Sequence, residues 1–188
     1  MEIPPSLWVT CRVVACTTRL QLLWAMFEHG ELSVNDAQFI VGVSQPCASN
    51  QLKTLNHCGL IVYRREDMRV IYRAEANSAI CFASDVLDAL RICFEQSLSL
   101  EAVIREATAF THERRIEIVR VLNGNPLSYS ELLEATGMSS TALSRHLDKL
   151  ERRDFVKRIE GVYGMSASDW ALGSTLLRLA YASGSKAW

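Results

Sequence analysis

The sequence predicts a mainly α fold with small β-hairpin wings, made of two tandem copies of one unit. Three observations predict it. Residues 44–61 (S-Q-P-C-A-S-N-Q-L-K-T-L-N-H-C-G-L-I) are echoed by residues 139–156 (S-S-T-A-L-S-R-H-L-D-K-L-E-R-R-D-F-V), with Ser44, Ser49, Leu52 and Leu55 recurring 95 positions later as Ser139, Ser144, Leu147 and Leu150. A repeat of this length makes the chain two versions of one supersecondary unit. Hydrophobic content of 49%, with 9 glycines and 4 prolines in 188 residues, suits compact helical halves of roughly 90 residues each. Apolar residues at helical spacing alternate with cap and turn signals in the same order in both halves.

Taken in order, Ser6 is placed to cap a helix over about 7–16. A second follows from Thr18, with Leu20, Leu23 and Phe27 on one face, and ends at His29-Gly30. Ser33-Val34-Asn35-Asp36 reads as a capping box, a hydroxyl and a carboxylate three residues apart that satisfy orphan amides. The short helix it opens runs to Val41, and Gly42 suits the turn after it. Ser44 caps a longer helix that tolerates Pro46 in its first turn and closes at Gly59. L-I-V-Y-R-R and R-V-I-Y-R then form two β segments around E-D-M, and residues 78–96 return to helix. The second copy opens at Ser99-Leu100 and carries a helix over 112–122. A second capping box follows at Ser128-Tyr129-Ser130-Glu131, and Gly137 matches Gly42. The hairpin is near 155–165, turning at Glu160-Gly161, and the last helix covers about 169–182. The division is therefore 1–97, a first domain with its connecting helix, and 98–188, a second.

Two helices joined by a glycine turn and followed by a β-hairpin outline a winged helix-turn-helix, whose second helix enters the DNA major groove. On that helix Ala48, Leu52 and Leu55 form a buried stripe, while Pro46, Ser49, Asn50, Lys53 and His57 face away. In copy two Leu143, Leu147 and Leu150 are buried. Thr141, Ser144, Arg145, Asp148 and Arg152 face out, with Lys149 at the side. Such amides, hydroxyls and guanidinium groups read base edges, Asn and Gln suiting adenine and Arg suiting guanine.

The net charge of −1 argues against a generic nucleic-acid coat but leaves room for local basic faces. Residues 145–158 hold six basic and three acidic side chains, and 64–73 hold four and two. Catalysis finds no support: there is no phosphate-binding Gly-rich loop and no G-x-S-x-G elbow, and His112-Glu113 lacks a second histidine four residues on. The start M-E-I-P-P-S lacks a secretory pattern, no apolar run reaches the ~18 residues of a bilayer span, and the six cysteines contain no Cys-x-x-Cys pair. The expectation is a cytoplasmic protein with reduced thiols, no membrane partner and no cofactor.

The run T-R-L-Q-L-L…G-E-L-S-V-N-D-A…G-V-S-Q-P-C-A-S-N-Q-L-K-T-L…G-L-I-V-Y-R-R…V-I-Y-R, residues 18–73, resembles the ArsR/SmtB family of bacterial winged-helix repressors. Copy two is similar mainly through L-S-R-H-L-D-K-L, residues 143–150. The resemblance implies a DNA-binding transcriptional regulator, usually a homodimer joined through its first and last helices. By position it implies base readers at Gln45, Ser49, Asn50 and Gln51, with Lys53 beside them. In copy two the readers so implied are Ser140, Ser144, Arg145 and His146, to which the helix wheel adds Thr141, with Lys149 at the side. Arg64, Arg65 and Arg69 become phosphate contacts from the wing.

Metal-sensing members carry E-L-C-V-C-D where this chain has Glu31-Leu32-Ser33-Val34-Asn35-Asp36, and none of the histidines at 29, 57, 112 and 146 lies in 78–96 or 169–182. Both metal sites of the family are thus rejected. The family fold also packs the first helix on the helix after the wing, which makes Cys11, Cys16, Cys81 and Cys93 candidates for a redox switch. Since Asn50-Gln51 stands where copy two has Arg145-His146, the halves are not expected to read identical half-sites. The partner expected is double-stranded DNA. The copies pair within one chain as a pseudo-dimer, or chains associate as a homodimer. The alternative function is a tandem winged-helix docking module without strong DNA binding. No residue pattern names an effector.

Overall fold

The computed structural model describes residues 6–182, so the amino-terminal stretch read for a secretory pattern lies, up to residue 5, outside the described residues. Among the described residues, ten helices and six short strands follow in two sets of the same order. The first set is α1 (Leu7–Val14), α2 (Thr17–His29), β1 (Glu31–Ser33), α3 (Val34–Val41), α4 (Gln45–His57), β2 (Val62–Glu66), β3 (Arg69–Arg73) and α5 (Ala83–Glu95). The second is α6 (Leu100–Ala109), α7 (Glu113–Val121), β4 (Leu127–Ser128), α8 (Tyr129–Thr136), α9 (Ser140–Glu151), β5 (Val156–Ile159), β6 (Val162–Met165) and α10 (Ala171–Ala182). Among the described residues no helix is long and apolar enough to cross a membrane.

Local chemistry sets the helix ends. Both capping boxes form: the Ser33 hydroxyl accepts from the Asp36 amide while the Asp36 carboxylate accepts from the Ser33 amide, and Ser128 and Glu131 do the same. These bonds hold the Asp36 and Glu131 carboxyls below their ordinary values, the serine hydroxyl being the largest cause. Gly42 and Gly137 close α3 and α8 at φ of 64° and 60°, the left-handed region that favours glycine and turns the chain into the next helix. Ser33→Ala and Ser128→Ala are each expected to cost about 1 kcal/mol, read as a lowered urea midpoint at unchanged slope.

The hairpins are wider than the sequence suggests. Each is the outer part of a three-stranded antiparallel sheet, ordered β1-β3-β2 and β4-β6-β5. Leu32 and Tyr63 both pair with Tyr72, and Leu127 and Arg158 both pair with Tyr163. The central tyrosines are buried. The edge strands β1 and β4 tie each sheet to the helix that follows them, fixing the wing relative to the helix-turn-helix. The helix expected over 78–96 starts at Ala83, so Ile80 packs from a turn and Cys81 precedes the helix.

The recognition helices seat as their apolar spacing demands. Ala48, Leu52, Leu55, Leu143, Leu147 and Leu150 are all buried. Beneath them one continuous hydrophobic core runs through both sets of elements. It is closed by α5 on α10 and α1 on α6, with α2 against α6 and α7 against α10. Arg178 reaches from α10 to Asp85 of α5 at 2.7 Å.

A guanidinium clamp, repeated in both halves, locks the first two helices of each. Arg19 donates from Nε to the Val13 carbonyl (2.6 Å) and from Nη2 to the Arg12 carbonyl (3.2 Å). Arg115 does the same with the Ala109 (2.6 Å) and Thr108 (3.0 Å) carbonyls, six and seven residues back in each case. The planar fork satisfies carbonyls left orphaned at the end of the preceding helix.

Candidate nucleic-acid interface

An α-helix turns about 100° per residue, so one exposed stripe on α4 and one on α9 must carry any readout. On α4, Gln45, Asn50 and Lys53 are exposed and Ser49 is half-buried. Gln45 donates to Asn35 Oδ1 (3.2 Å), which braces it against α3. On α9, Ser140, Thr141, Ser144, Arg145 and Lys149 are exposed. The Ser140 carbonyl and hydroxyl both lie within hydrogen-bond distance of the Tyr129 hydroxyl (2.7 and 2.9 Å), which pins the start of α9 to α8.

Two expected readers are withdrawn from the surface, and both occupy the position after Asn50 or Arg145. Gln51 is half-buried, with Oε1 accepting from Arg19 Nη1 (2.8 Å) and its amide directed to the Cys47 sulfur (4.0 Å). His146 is only 4% exposed, its ring centroid 4.6 Å from that of His112. One further step around the helix turns each side chain from the groove side toward the protein body. There the clamp arginine or the His112 ring takes it up.

The His112–His146 pair is not legible in the sequence, because one member is the cap of α7 and the other lies within α9. His112 caps α7, its Nδ1 accepting from the Arg114 amide (3.1 Å). Within α9, His146 Nδ1 is buried without a hydrogen-bond partner. Burial, then the charges of His112, Arg115, Arg145 and Lys149, push His146 down to about 4. Burial and Arg115 lower His112 as well. At neutral pH both rings are therefore uncharged.

The wings differ. Arg64, expected to contact phosphate, is held on the sheet by Glu31 and Glu66. These bonds lower Glu31 and raise Arg64, the hydrogen bond to the partner being the largest cause for each. Its charge is thus largely answered within the protein, by a carboxylate 33 residues earlier in the chain. Arg65 and Arg69 are exposed on the outer faces of β2 and β3. The second wing presents Lys157 and Arg158, which the sequence reading counted as local charge without giving them a contact. Arg158 lies 5.5 Å over the Tyr163 ring. Their signal was the register: β5 is the repeat of β2, the strand that carries Arg64 and Arg65.

The cysteine candidates divide. Cys11 and Cys93 are buried, and burial raises both thiols, away from the thiolate that redox chemistry requires. Cys16 is half-buried and Cys81 exposed, and all six thiols are free. The switch built on these four loses its two buried members. Where metal-sensing relatives were expected to place thiolates, Ser33 caps α3 and Asn35 accepts from Gln45. Among the described residues no three His, Cys, Asp or Glu side chains gather to hold a metal ion.

An exposed polar helix behind a left-handed glycine turn, beside a basic three-stranded wing and present twice, defines a tandem winged helix-turn-helix protein. The comparisons agree with that class. Residues 16–63 and 112–158, about half the chain, match the family described as bacterial regulatory protein, arsR family, and the chain belongs to that family. It is similar to the HTH-type transcriptional regulator KmtR of Mycobacterium tuberculosis (strain ATCC 25618 / H37Rv), at 36% identity over 64 residues. That match covers 34% of this chain and 48% of the relative, so the chain spans about half the length of the curated relative it matches.

Proposed function

We propose that the chain is a sequence-specific transcriptional regulator that binds double-stranded DNA in the cytoplasm. Its units, residues 1–97 and 98–188, pair within one chain as an intramolecular pseudo-dimer. The observation that carries the reading is the seam: α1 packs on α6 and α5 on α10, so each first or last helix of one set meets its counterpart in the other. That seam leaves Asn50 on α4 and Arg145 on α9 exposed. A homodimer of the family meets itself through first and last helices, and here both partners of that contact are supplied by one polypeptide. Recognition helices about one duplex turn (~34 Å) apart would then place one chain on one operator. Lys53, Arg65, Arg69, Lys149, Lys157 and Arg158 are the exposed cations for phosphate.

Fluorescence anisotropy with genomic fragments, paired with sedimentation of the complex, tests this. One chain per site is expected, with affinity falling about a thousandfold between 50 and 200 mM salt for about six phosphate contacts. Two chains per site would replace the pseudo-dimer by a homodimer of chains.

A second reading, a docking module without strong DNA binding, is favoured by one feature. Phe39 is 81% exposed and Ile40 42% exposed on α3, over a groove lined by His29, Glu31, Leu32 and Asp36. No saturable DNA binding at about 50 mM salt would favour that reading.

A further inference from the structure

Resting on the reading of the chain as a DNA-binding pseudo-dimer, we propose that its operator departs from a palindrome at one defined base pair. Asn50 reads adenine in one half-site where Arg145 reads guanine at the equivalent place in the other. The two residues are related by the repeat's 95-residue offset and are both exposed on their recognition helices.

The other equivalent pairs are removed by what they touch. Gln51 and His146 are turned inward, onto Arg19 and His112. Gln45 is held by Asn35, and Ser140 by the Tyr129 hydroxyl. Ser49 and Ser144 are the same residue and cannot tell the half-sites apart. Asp148, which replaces Lys53, faces Arg152 at 3.6 Å, and that same ion pair occupies Arg152, the equivalent of His57. Thr54, the equivalent of Lys149, donates to the Asn50 carbonyl (2.8 Å). Pro46 has no side-chain polar atom to set against Thr141. Asn50 and Arg145 remain, with no side-chain hydrogen bond or ion pair to other described residues.

Their chemistry is not exchangeable. The Asn50 side chain sets its NH2 donor against adenine N7 and its carbonyl acceptor against the adenine N6 amine. The Arg145 fork offers donors only, matching guanine O6 and N7. Against adenine it leaves the N6 donor facing another donor. A homodimer carries the same reader twice and is committed to a symmetric site. Two copies on one chain are free of that constraint, so this protein sits on its operator in a single orientation.

Selection of bound sequences from random DNA, run on the wild type, Asn50→Arg and Arg145→Asn, tests the proposal. The wild type is expected to select a site with adenine in one half and guanine at the mirror position. N50R is expected to select guanine at both places, and R145N adenine at both. In anisotropy on the wild-type site, exchanging either base costs the wild type about tenfold to a hundredfold in affinity. Each variant loses that discrimination only in the half it reads. Both positions are exposed on helices, so each variant is expected to fold, which circular dichroism checks. A wild-type site symmetric at this pair, or an N50R selection with unmoved base preference, overturns the proposal and leaves the regulator reading standing. Failure of the wild type to enrich any DNA at low salt overturns both.

Discussion

Gly173→Ala is expected to lower the unfolding free energy by about 3 kcal/mol, although alanine is the better helix former by about 1 kcal/mol. Gly173 lies in the first turn of α10 and is buried. Its amide donates to Glu106 Oε2 (2.8 Å), and Ser168 donates from Oγ to Glu106 Oε1 (2.6 Å). Glu106 is 5% exposed, a carboxylate carried by α6 and placed at the amino end of α10, where the helix dipole favours negative charge. A Cβ on residue 173 would stand 2.7 Å from the Ser168 Cβ and 2.5 Å from Glu106 Oε1, and would also collide with the Ser168 hydroxyl. Either α10 shifts or the buried carboxylate loses its donors, and each route is costly. Urea denaturation should show the loss as a lowered midpoint. Adding Ser168→Gly removes the atoms struck on that side and should recover part of it, a coupling a double-mutant cycle would measure. A Gly173→Ala protein as stable as the wild type would mean that α10 is not seated on Glu106 as described.

Acid is expected to weaken the fold through His146. Its folded-state value of about 4 lies below the ordinary 6.5, so between those values the unfolded chain binds a proton that the folded chain refuses. The contribution is complete above pH 6.5 and is lost as pH falls toward 4, by up to about 3 kcal/mol. The ring faces His112 and Arg115 from α7 and lies among Arg145 and Lys149 of its own helix. Protonation would therefore place a charge among cations with no acceptor at Nδ1. Glu106 runs the other way. Burial raises its value, so its share of stability is greatest at low pH and is lost as pH rises from the ordinary 4.5 through the raised value. Comparing wild type with His146→Gln cancels that contribution, since both proteins keep Glu106, and Gln is the residue the first copy carries at the same place (Gln51). The variant should lose most of the stability slope between pH 6.5 and 4. Equal slopes in the two proteins would show that His146 titrates normally.

Much of this was legible in residue spacing. Ser33 with Asp36 and Ser128 with Glu131 declare their helix starts, because a capping box is a contact between neighbours in sequence. Leu52, Leu55, Leu147 and Leu150 declare their burial through helical spacing. The strands β1 and β4 were not legible, since three and two residues are too few to show alternation, and their partners lie 34–42 residues onward. The inward turn of Gln51 and His146 is hidden for a related reason. Position in a motif says which helix a side chain occupies, but an arginine clamp or a second histidine elsewhere in the chain decides whether it faces outward. The sequence shows Arg64 as a free cation because Glu31 is its neighbour only across the sheet.

What the chain alone determined is therefore the unit and its duplication: two winged helix-turn-helix copies with buried leucine stripes and different residues at Asn50 and Arg145. These follow from interactions within a turn or two of helix, where order along the chain is also order in space. The tertiary structure decided which cations and amides remain available, how α1, α5, α6 and α10 join the copies, and where Glu106 and His146 are buried. Those outcomes depend on groups far apart in sequence sharing one core, where desolvation makes each buried polar atom answer to whichever partner the fold brings beside it.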